Sequence, residues 1–276
     1  MRGFSSSFLI FFYQIALGGL FAIADTPFHE IERAFYKSTA GVLYVIALLG
    51  LWGKSILYWH SLVEGWSWGI GLEAFFHLVF VLSFSCYMIS LWSERQVFRA
   101  RSFAASVLTG LVGLLVSTHS FYSAPFVSIE TIVYPSAFLL SSLLLGSVTV
   151  GMLIGHWYLI DTGQSLEPFI RIYRFFVVAL VVQCVFLALA PLAIYFLGSA
   201  QSRLALEQLW QHHATLWVTR VIVGQGAPLM LSWMIWRTLL IPHTMAATGL
   251  FYIALLGVFV GEILGRQILA LAGLPF

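Results

Sequence analysis

The most informative shortage in this sequence of 276 residues is charge. Only 9% of the residues are Asp, Glu, Lys or Arg and 61% are hydrophobic, whereas soluble chains have roughly 25% and roughly 45–50%. Thirteen basic and eleven acidic side chains cannot cover the surface of a soluble protein of this length, so that class is excluded. The net charge of +2 and the lack of any basic run exclude nucleic acid as a partner. The sequence therefore predicts an integral membrane protein in contact with lipid.

Cysteines and catalytic motifs are also scarce. The two cysteines, Cys86 and Cys184, both lie in apolar runs, which excludes a thiolate metal site and leaves a disulfide between them open. No Gly-x-Ser-x-Gly, His-Glu-x-x-His, Walker loop or dinucleotide fingerprint occurs, and the corresponding enzyme classes are excluded. The histidine spacing cannot assemble the six ligands of the binuclear copper centre of a terminal oxidase.

Long apolar runs dominate what remains. A bilayer core of about 30 Å needs about 20 residues of helix, and eight segments meet this need. They are residues 8–24, 38–59, 68–92, 102–121, 134–160, 172–197, 214–240 and 245–272. No alternation of period two suggests a barrel. The fold class expected is therefore all-α: a polytopic bundle of eight transmembrane helices, with residues 1–276 forming a single integral membrane domain.

The distribution of basic residues predicts the orientation of the bundle. Eight of the thirteen lie in, or within four residues of, the connections that follow the first, third, fifth and seventh spans: Arg33, Lys37, Arg95, Arg99, Arg101, Arg171, Arg174 and Arg237. Because basic loops stay in the cytoplasm, both termini are expected on the periplasmic side of a bacterial inner (cytoplasmic) membrane. Ala22-Ile23-Ala24 leaves a cleaved signal peptide as an alternative for the first span, but the orientation favours a retained helix.

Two connections predict short helices that lie at the membrane interface. After Thr26 as a cap and Pro27 at a helix start, residues 28–37 place apolar and charged side chains on opposite faces. Residues 200–213 show a similar pattern. Both helices are interpreted as caps on the bundle.

Polar groups inside the spans are where function is expected, because a charge at the bilayer centre costs at least about 2.5–3.5 kcal/mol. The candidates are ten charged, histidine or amide side chains inside the predicted spans: Lys54, Glu73, His77, His119, His156, Gln183, Arg220, Gln225, Glu262 and Arg266. The direction of each span places most of them in the outer half of the membrane, with only His156 toward the cytoplasm. We expect them to converge in a pocket near the periplasmic surface. Glu73 and His77, four residues apart, share a helix face and form a candidate proton-handling pair.

Three chemistries could use such a cluster. A quinone needs an apolar cleft, hydrogen-bond partners for its carbonyls and groups that exchange protons. Haem b would need two facing histidines, for which His77 and His119 are the conceivable pair and would be its metal ligands. Transport would use broken helices at the midplane, and Gly224-Gln225-Gly226-Ala227-Pro228 could break the seventh span. A structural subunit without a ligand also stays open.

The last span carries a family resemblance. Its motif, Gly261-Glu262-Ile263-Leu264-Gly265-Arg266, resembles the closing helix of the membrane subunits of molybdoenzyme complexes, of the dimethyl sulfoxide reductase anchor and polysulfide reductase type. Arg220 followed by Pro228 in the preceding span is also similar. The resemblance implies eight helices, both termini outside, a quinone near the outer face and electron transfer to an iron–sulfur subunit. It carries over only Glu262 and Arg266 as site residues.

The sequence thus predicts a quinone-interacting membrane subunit of a multi-subunit respiratory oxidoreductase, which uses menaquinone or ubiquinone and an iron–sulfur or cytochrome partner. Glu73 and His77 are expected to exchange protons with the quinone, and His119 or Arg220 to bind a carbonyl. Gln225 belongs to the same binding set, and the two charged residues of the terminal motif orient the pocket. A subunit that carries haem b and a transporter of small solutes or ions are the alternatives.

Overall fold

The chain folds into a helical bundle in which no strand occurs among the described residues. The structure, a computed structural model, describes residues 4–26, 28, 30–65, 67–122, 128–161, 163–241 and 243–276. The helices are α1 Phe4–Ala24, α2 Arg33–Glu64, α3 Trp68–Ser90, α4 Gln96–His119, α5 Glu130–Ile160, α6 Glu167–Leu197, α7 Ala200–His212, α8 Ala214–Val221, a π-helical segment Ile222–Gly226, α9 Ala227–Leu240 and α10 Thr244–Ala272.

The eight predicted spans are confirmed within the described part of the chain. Eight helices are long and apolar enough to cross a membrane, with α8, the π segment and α9 forming one of them. The outward faces carry exposed apolar side chains along their length, such as Trp52, Leu82 and Leu189. A soluble protein rarely exposes so many large apolar groups. The chain therefore has the surface of a multi-pass membrane protein.

Of the two short helices predicted between spans, the helix at residues 200–213 is confirmed as Ala200–His212 and the helix at residues 28–37 is wrong. Ser199 caps α7, because its hydroxyl oxygen accepts from the Ser202 backbone N–H at 3.2 Å. Residues 28–37 do not form a separate helix, since α2 begins at Arg33. The Thr26 hydroxyl donates to the Ile23 carbonyl at 2.6 Å, so that it closes the end of α1 instead of opening a new helix. Pro27 lies outside the described residues.

Helices α1 and α5 form the centre of the bundle, and 72% of the most apolar window of each is buried. Their backbones touch at Gly18 and Gly146, where a Cβ atom on either residue would overlap the backbone of the other helix. Two hydrogen bonds between α1 and α5 stabilise this helix crossing. The Gln14 amide donates to the Phe138 carbonyl at 2.8 Å, and the Ser142 hydroxyl donates to the Gln14 carbonyl at 2.9 Å.

The seventh span is widened instead of broken. Pro228 has no N–H to donate to Gly224, and its ring would clash with that carbonyl in an α-helix. The chain forms a π turn here, in which the Ala227 N–H donates to the Ile222 carbonyl five residues earlier. The helix continues directly into α9. The feature that favoured a transporter with a broken helix is therefore a π turn in a continuous span.

The alternating direction of the helices defines two ends of the bundle. We call the end at which α1 begins the first end and the end at which α1 stops the second end. At the first end, Lys54 of α2 and Ser120 after α4 both donate hydrogen bonds to Glu73 near the start of α3. The predicted polar residues are distributed around this end, in agreement with the one-sided placement expected from the sequence.

The α1–α5 contact predicts the effect of a side chain at Gly146. Gly146→Val should lower the free energy of unfolding by on the order of 3 kcal/mol or more, because the backbones must separate and their hydrogen bonds stretch. The measurement is thermal unfolding in detergent, followed by circular dichroism. Gly249→Val in α10 is the control, since no atom lies within 4 Å of a Cβ there. Equal midpoints for the two variants would show that the crossing is not close.

Candidate functional site

The seven predicted site residues do not converge in one pocket. They divide into a first network around Glu73 and His77, a second network around Glu262, Arg220 and Arg266, and two separate positions. Gln225 lines a groove on the outer face of the bundle, and His119 is exposed at the end of α4. The reason is that each buried charge is paired with a group from a neighbouring helix.

The first network is built on a buried ion pair between α2 and α3. The Lys54 ammonium lies 2.7 Å from Glu73 Oε1, and the two side chains are only 4% and 5% exposed. The Ser120 hydroxyl donates to Glu73 Oε2 at 3.2 Å. Lys54 also donates to the Ser6 hydroxyl of α1 at 3.4 Å. Glu73 is therefore the counter-ion of a lysine that sequence analysis had not paired with it.

His77 lies on the same face of α3 as Glu73, but its hydrogen bonds go to other residues. Its Nδ1 is 3.0 Å from the Tyr58 hydroxyl and its Nε2 is 2.8 Å from the Ser117 hydroxyl. Its ring stacks on Tyr13 with centroids 4.4 Å apart. The imidazole is thus held by α1, α2 and α4 together, and both of its nitrogens are occupied.

These contacts do not fit ligation of a haem iron by His77 and His119. His77 would have to give up a hydrogen bond to free either nitrogen for a metal. His119 lies at the last residue of α4, exposed, with its ring 5.6 Å from that of Tyr122. Among the described residues, no three His, Cys, Asp or Glu side chains are grouped as metal ligands. Haem ligation by this pair would therefore require His77 to lose one of its two hydrogen bonds.

The second network places one carboxylate between two arginines. Glu262 Oε1 is 3.3 Å from Arg220 Nη2, and Glu262 Oε2 is 3.4 Å from Arg266 Nη2. The Gln183 amide donates to the same Oε1 at 2.6 Å. Arg220 Nη1 donates to the Gly261 carbonyl at 3.0 Å. The charged residues of the terminal-helix motif are thus joined to α6 and α8.

The side chains of the second network carry a net charge of +1, because two guanidinium groups surround a single carboxylate; the backbone oxygen of Phe276 also lies beside Arg220 Nη1, at Gly265. All three side chains are at most 4% exposed. Arg266 obtains further stabilisation from the Phe138 ring, whose centroid lies 4.7 Å from its guanidinium carbon. The Nε atoms of both arginines have no partner in the described part of the protein. A buried excess of positive charge favours a negative charge nearby.

The central helices separate the two networks. Tyr13 of α1 contacts the first network and Phe138 of α5 contacts the second. The Gln14–Phe138 hydrogen bond connects these positions through the α1–α5 crossing. Both networks therefore lie toward the first end of the bundle, on opposite sides of its core.

An apolar groove of about 590 Å³ lies between α6 and the span formed by α8, the π segment and α9. Ile222 and Met230 at its rim are 61% and 62% exposed, so that the groove opens on the apolar outer face of the bundle. Two of its lining residues, Trp217 and Gln225, carry side-chain N–H groups. Among the described residues, the buried indole nitrogen of Trp217 has no partner and the Gln225 amide nitrogen donates to none, whereas the Gln225 oxygen accepts from the Cys184 thiol at 3.2 Å.

The groove lies directly outside the second network. Gly224 of the π segment packs against Gly261, and a Cβ atom on either would overlap the other's backbone. Glu262 and Arg220 lie behind this contact, and the groove is on the far side of the π segment. The π segment lies between the groove and these charges, and a helix with its side chains is roughly 10 Å across.

Sequence analysis missed Trp217 and Cys184 as groove residues. Trp217 stands near the end of a span, where tryptophans commonly form an interfacial belt, and Cys184 lies in an apolar run. The available signal was the Gly-Gln-Gly-Ala-Pro stretch, since a π turn often marks a functional position in a helix.

Comparison of the chain with protein-family models, curated proteins and solved structures gives no match.

Removal of each charge from the second network should destabilise the protein to a different degree. Glu262→Gln is expected to lower the free energy of unfolding by about 3–5 kcal/mol, because two buried cations lose their counter-ion. Arg266→Met should cost about 1 kcal/mol, since a neutral ion pair with Arg220 remains. Unfolding in detergent with increasing dodecyl sulfate measures both. A greater loss for Arg266→Met than for Glu262→Gln would contradict a net positive network.

The Lys54–Glu73 pair can be tested by a double-mutant cycle. Lys54→Met and Glu73→Gln should each be strongly destabilising, and the double variant should recover about 2–3 kcal/mol of their summed loss. The matched control is the Asp25–Arg171 pair, whose atoms are 3.8 Å apart and whose side chains are 35% and 50% exposed. Its coupling is expected to be below about 1 kcal/mol. Additive losses at Lys54 and Glu73 would show that the pair does not form.

Proposed function

We propose that the chain is a quinone-interacting integral membrane subunit of a multi-subunit respiratory oxidoreductase. It lies in a bacterial inner membrane with both termini on the periplasmic side. The observation that carries the proposal is the groove beside Gln225, which is apolar, opens on the outer face of the bundle and is lined by two side chains with N–H groups, those of Gln225 and Trp217. A quinone diffuses in the lipid, is apolar over most of its surface and accepts hydrogen bonds at two carbonyls.

The dimensions of the groove suit this ligand. Its volume of about 590 Å³ falls in the range of roughly 300–1,000 Å³ that small-molecule sites occupy. Trp217 and Gln225 are eight residues apart, about 12 Å along a helix. This separation matches a quinone ring that accepts a hydrogen bond from the indole at one carbonyl and from the amide at the other. The isoprenoid tail then leaves past Ile222 and Met230 into the lipid.

The second network supplies the electrostatic part of the site. Reduction of a quinone to a quinol takes two electrons and two protons, and negative charge accumulates on the ring oxygens between these transfers. A net charge of +1 about one helix diameter away, in an apolar surrounding, stabilises that negative charge. An iron–sulfur or cytochrome partner subunit supplies or accepts the two electrons, and the aqueous phase exchanges the protons.

These assignments differ from those made on the sequence alone. Gln225 and Trp217 contact the quinone in the present proposal, and Arg220, Glu262 and Arg266 act on it through the π segment. Glu73, His77 and His119 receive no role at the quinone, because their positions are separated from the groove by the central helices or lie at the end of α4.

Equilibrium binding of a short-chain quinone to the detergent-solubilised protein tests the proposal. Gln225→Leu and Trp217→Phe should each weaken binding about tenfold, the effect of losing one hydrogen bond of about 1–1.5 kcal/mol. Trp233→Phe is the control, since this tryptophan of α9 is 64% exposed and does not line the groove. Equal affinities for all three variants, or no saturable binding by the unmodified protein, would refute the quinone site.

A further inference from the structure

A second cavity, of about 540 Å³, lies at the second end of the bundle, away from the proposed quinone groove. It is formed where α2 begins, α3 ends and α4 begins. Its lining includes two basic side chains, Arg33 and Arg99, and four aromatic ones, Phe28, Tyr36, Tyr87 and Phe103. We call it the arginine cavity. None of its lining side chains is acidic.

The two arginines have no partner among the described residues. Neither guanidinium group makes a hydrogen bond or an ion pair to any of them. Arg171, at the same end of the bundle, shows the contrast, since it is paired with Asp25. Two unpaired cations beside one cavity repel each other, and an anion between them would remove that repulsion.

A buried hydroxyl points to the same conclusion. Tyr87 of α3 lines the arginine cavity, is 0% exposed and has a hydroxyl with no hydrogen-bond partner in the described part of the chain. Buried hydroxyl groups nearly always have a partner, because burial without one is costly. Tyr87 interacts electrostatically with Tyr36 and Arg99, which both line the same cavity.

We propose that the arginine cavity binds the phosphate group of an anionic membrane lipid. Guanidinium groups donate two parallel hydrogen bonds to phosphate oxygens, and the Tyr87 hydroxyl donates a further one. Ile89, Val97 and Phe98, which are within two residues of lining residues in the sequence, are 67%, 63% and 42% exposed. They provide an apolar surface along which the acyl chains descend into the bilayer, a surface that a free phosphate ion would not use.

The position of the arginine cavity agrees with a lipid of the inner leaflet. The second end carries the basic connections and is therefore the cytoplasmic end by the positive-inside rule. Anionic lipids give the cytoplasmic leaflet a negative surface potential that attracts juxtamembrane arginines. The lipid site is independent of the quinone proposal, because it shares no residue with the groove.

Native mass spectrometry of the delipidated, detergent-purified full chain tests this inference, with phosphatidylglycerol, phosphatidylcholine and inorganic phosphate as separate probes. The unmodified chain should retain phosphatidylglycerol in preference to phosphatidylcholine. The double variant Arg33→Gln with Arg99→Gln should bind phosphatidylglycerol at least tenfold more weakly. The matched control, Arg95→Gln with Arg101→Gln, removes the same charge from the same end without touching the cavity and should bind normally.

A third variant distinguishes loss of the lipid site from a general loss of positive charge and from misfolding. Tyr87→Phe removes only the hydroxyl and should weaken phosphatidylglycerol binding about threefold, with an unchanged helical circular dichroism spectrum. Equal binding by the two double-arginine variants would overturn the proposal. Retention of inorganic phosphate without retention of either lipid would instead assign the cavity to a soluble anion and would also overturn it.

Discussion

The contact between α1 and α5 at Gly18 and Gly146 sets the positions of the other helices. Because neither residue has a Cβ atom, the two backbones touch, and Gln14 and Ser142 can bond to carbonyl groups of the facing helix. Close approach of this kind is how helices associate in lipid, where burial of apolar surface gives little driving force. The remaining helices pack around this pair, so that each side of the crossing holds its own polar network.

Pairing of buried charges explains why the predicted site residues are not gathered in one place. A charge in an apolar bundle must find a counter-ion within hydrogen-bond distance. Lys54 meets this need for Glu73, and two arginines meet it for Glu262. Once paired, these groups are held by neighbouring helices and do not face a cavity. The first network has one cationic and one anionic side chain, whereas the second has two cationic side chains and one anionic. The excess positive charge of the second network can act on groups that it does not contact.

The π segment connects that network to the lipid face. Pro228 forces the helix to widen, and Gly224 allows the widened turn to press against Gly261 beside Glu262. On its other side the same turn presents Gln225 to the groove. A polar amide, an indole nitrogen and an apolar cleft thus meet at a position where a ligand from the bilayer can enter, with positive charge behind them. The same turn therefore links the packing of the bundle to the proposed quinone chemistry.

The sequence by itself determined the eight spans, the one-sided distribution of polar residues and the helix at residues 200–212, because each of these depends on one helix and its immediate neighbours in the chain. It also placed Glu73 with His77 and Glu262 with Arg266 on shared faces, through the helical repeat. Only the tertiary structure decided the partners. The pairing of these side chains depends on which helices meet and at what depth. Examples are Lys54 with Glu73, Gln183 with Glu262, and Trp217 with Gln225 around one groove. That arrangement follows from contacts between distant segments, such as Gly18 with Gly146, which no local pattern of hydropathy records.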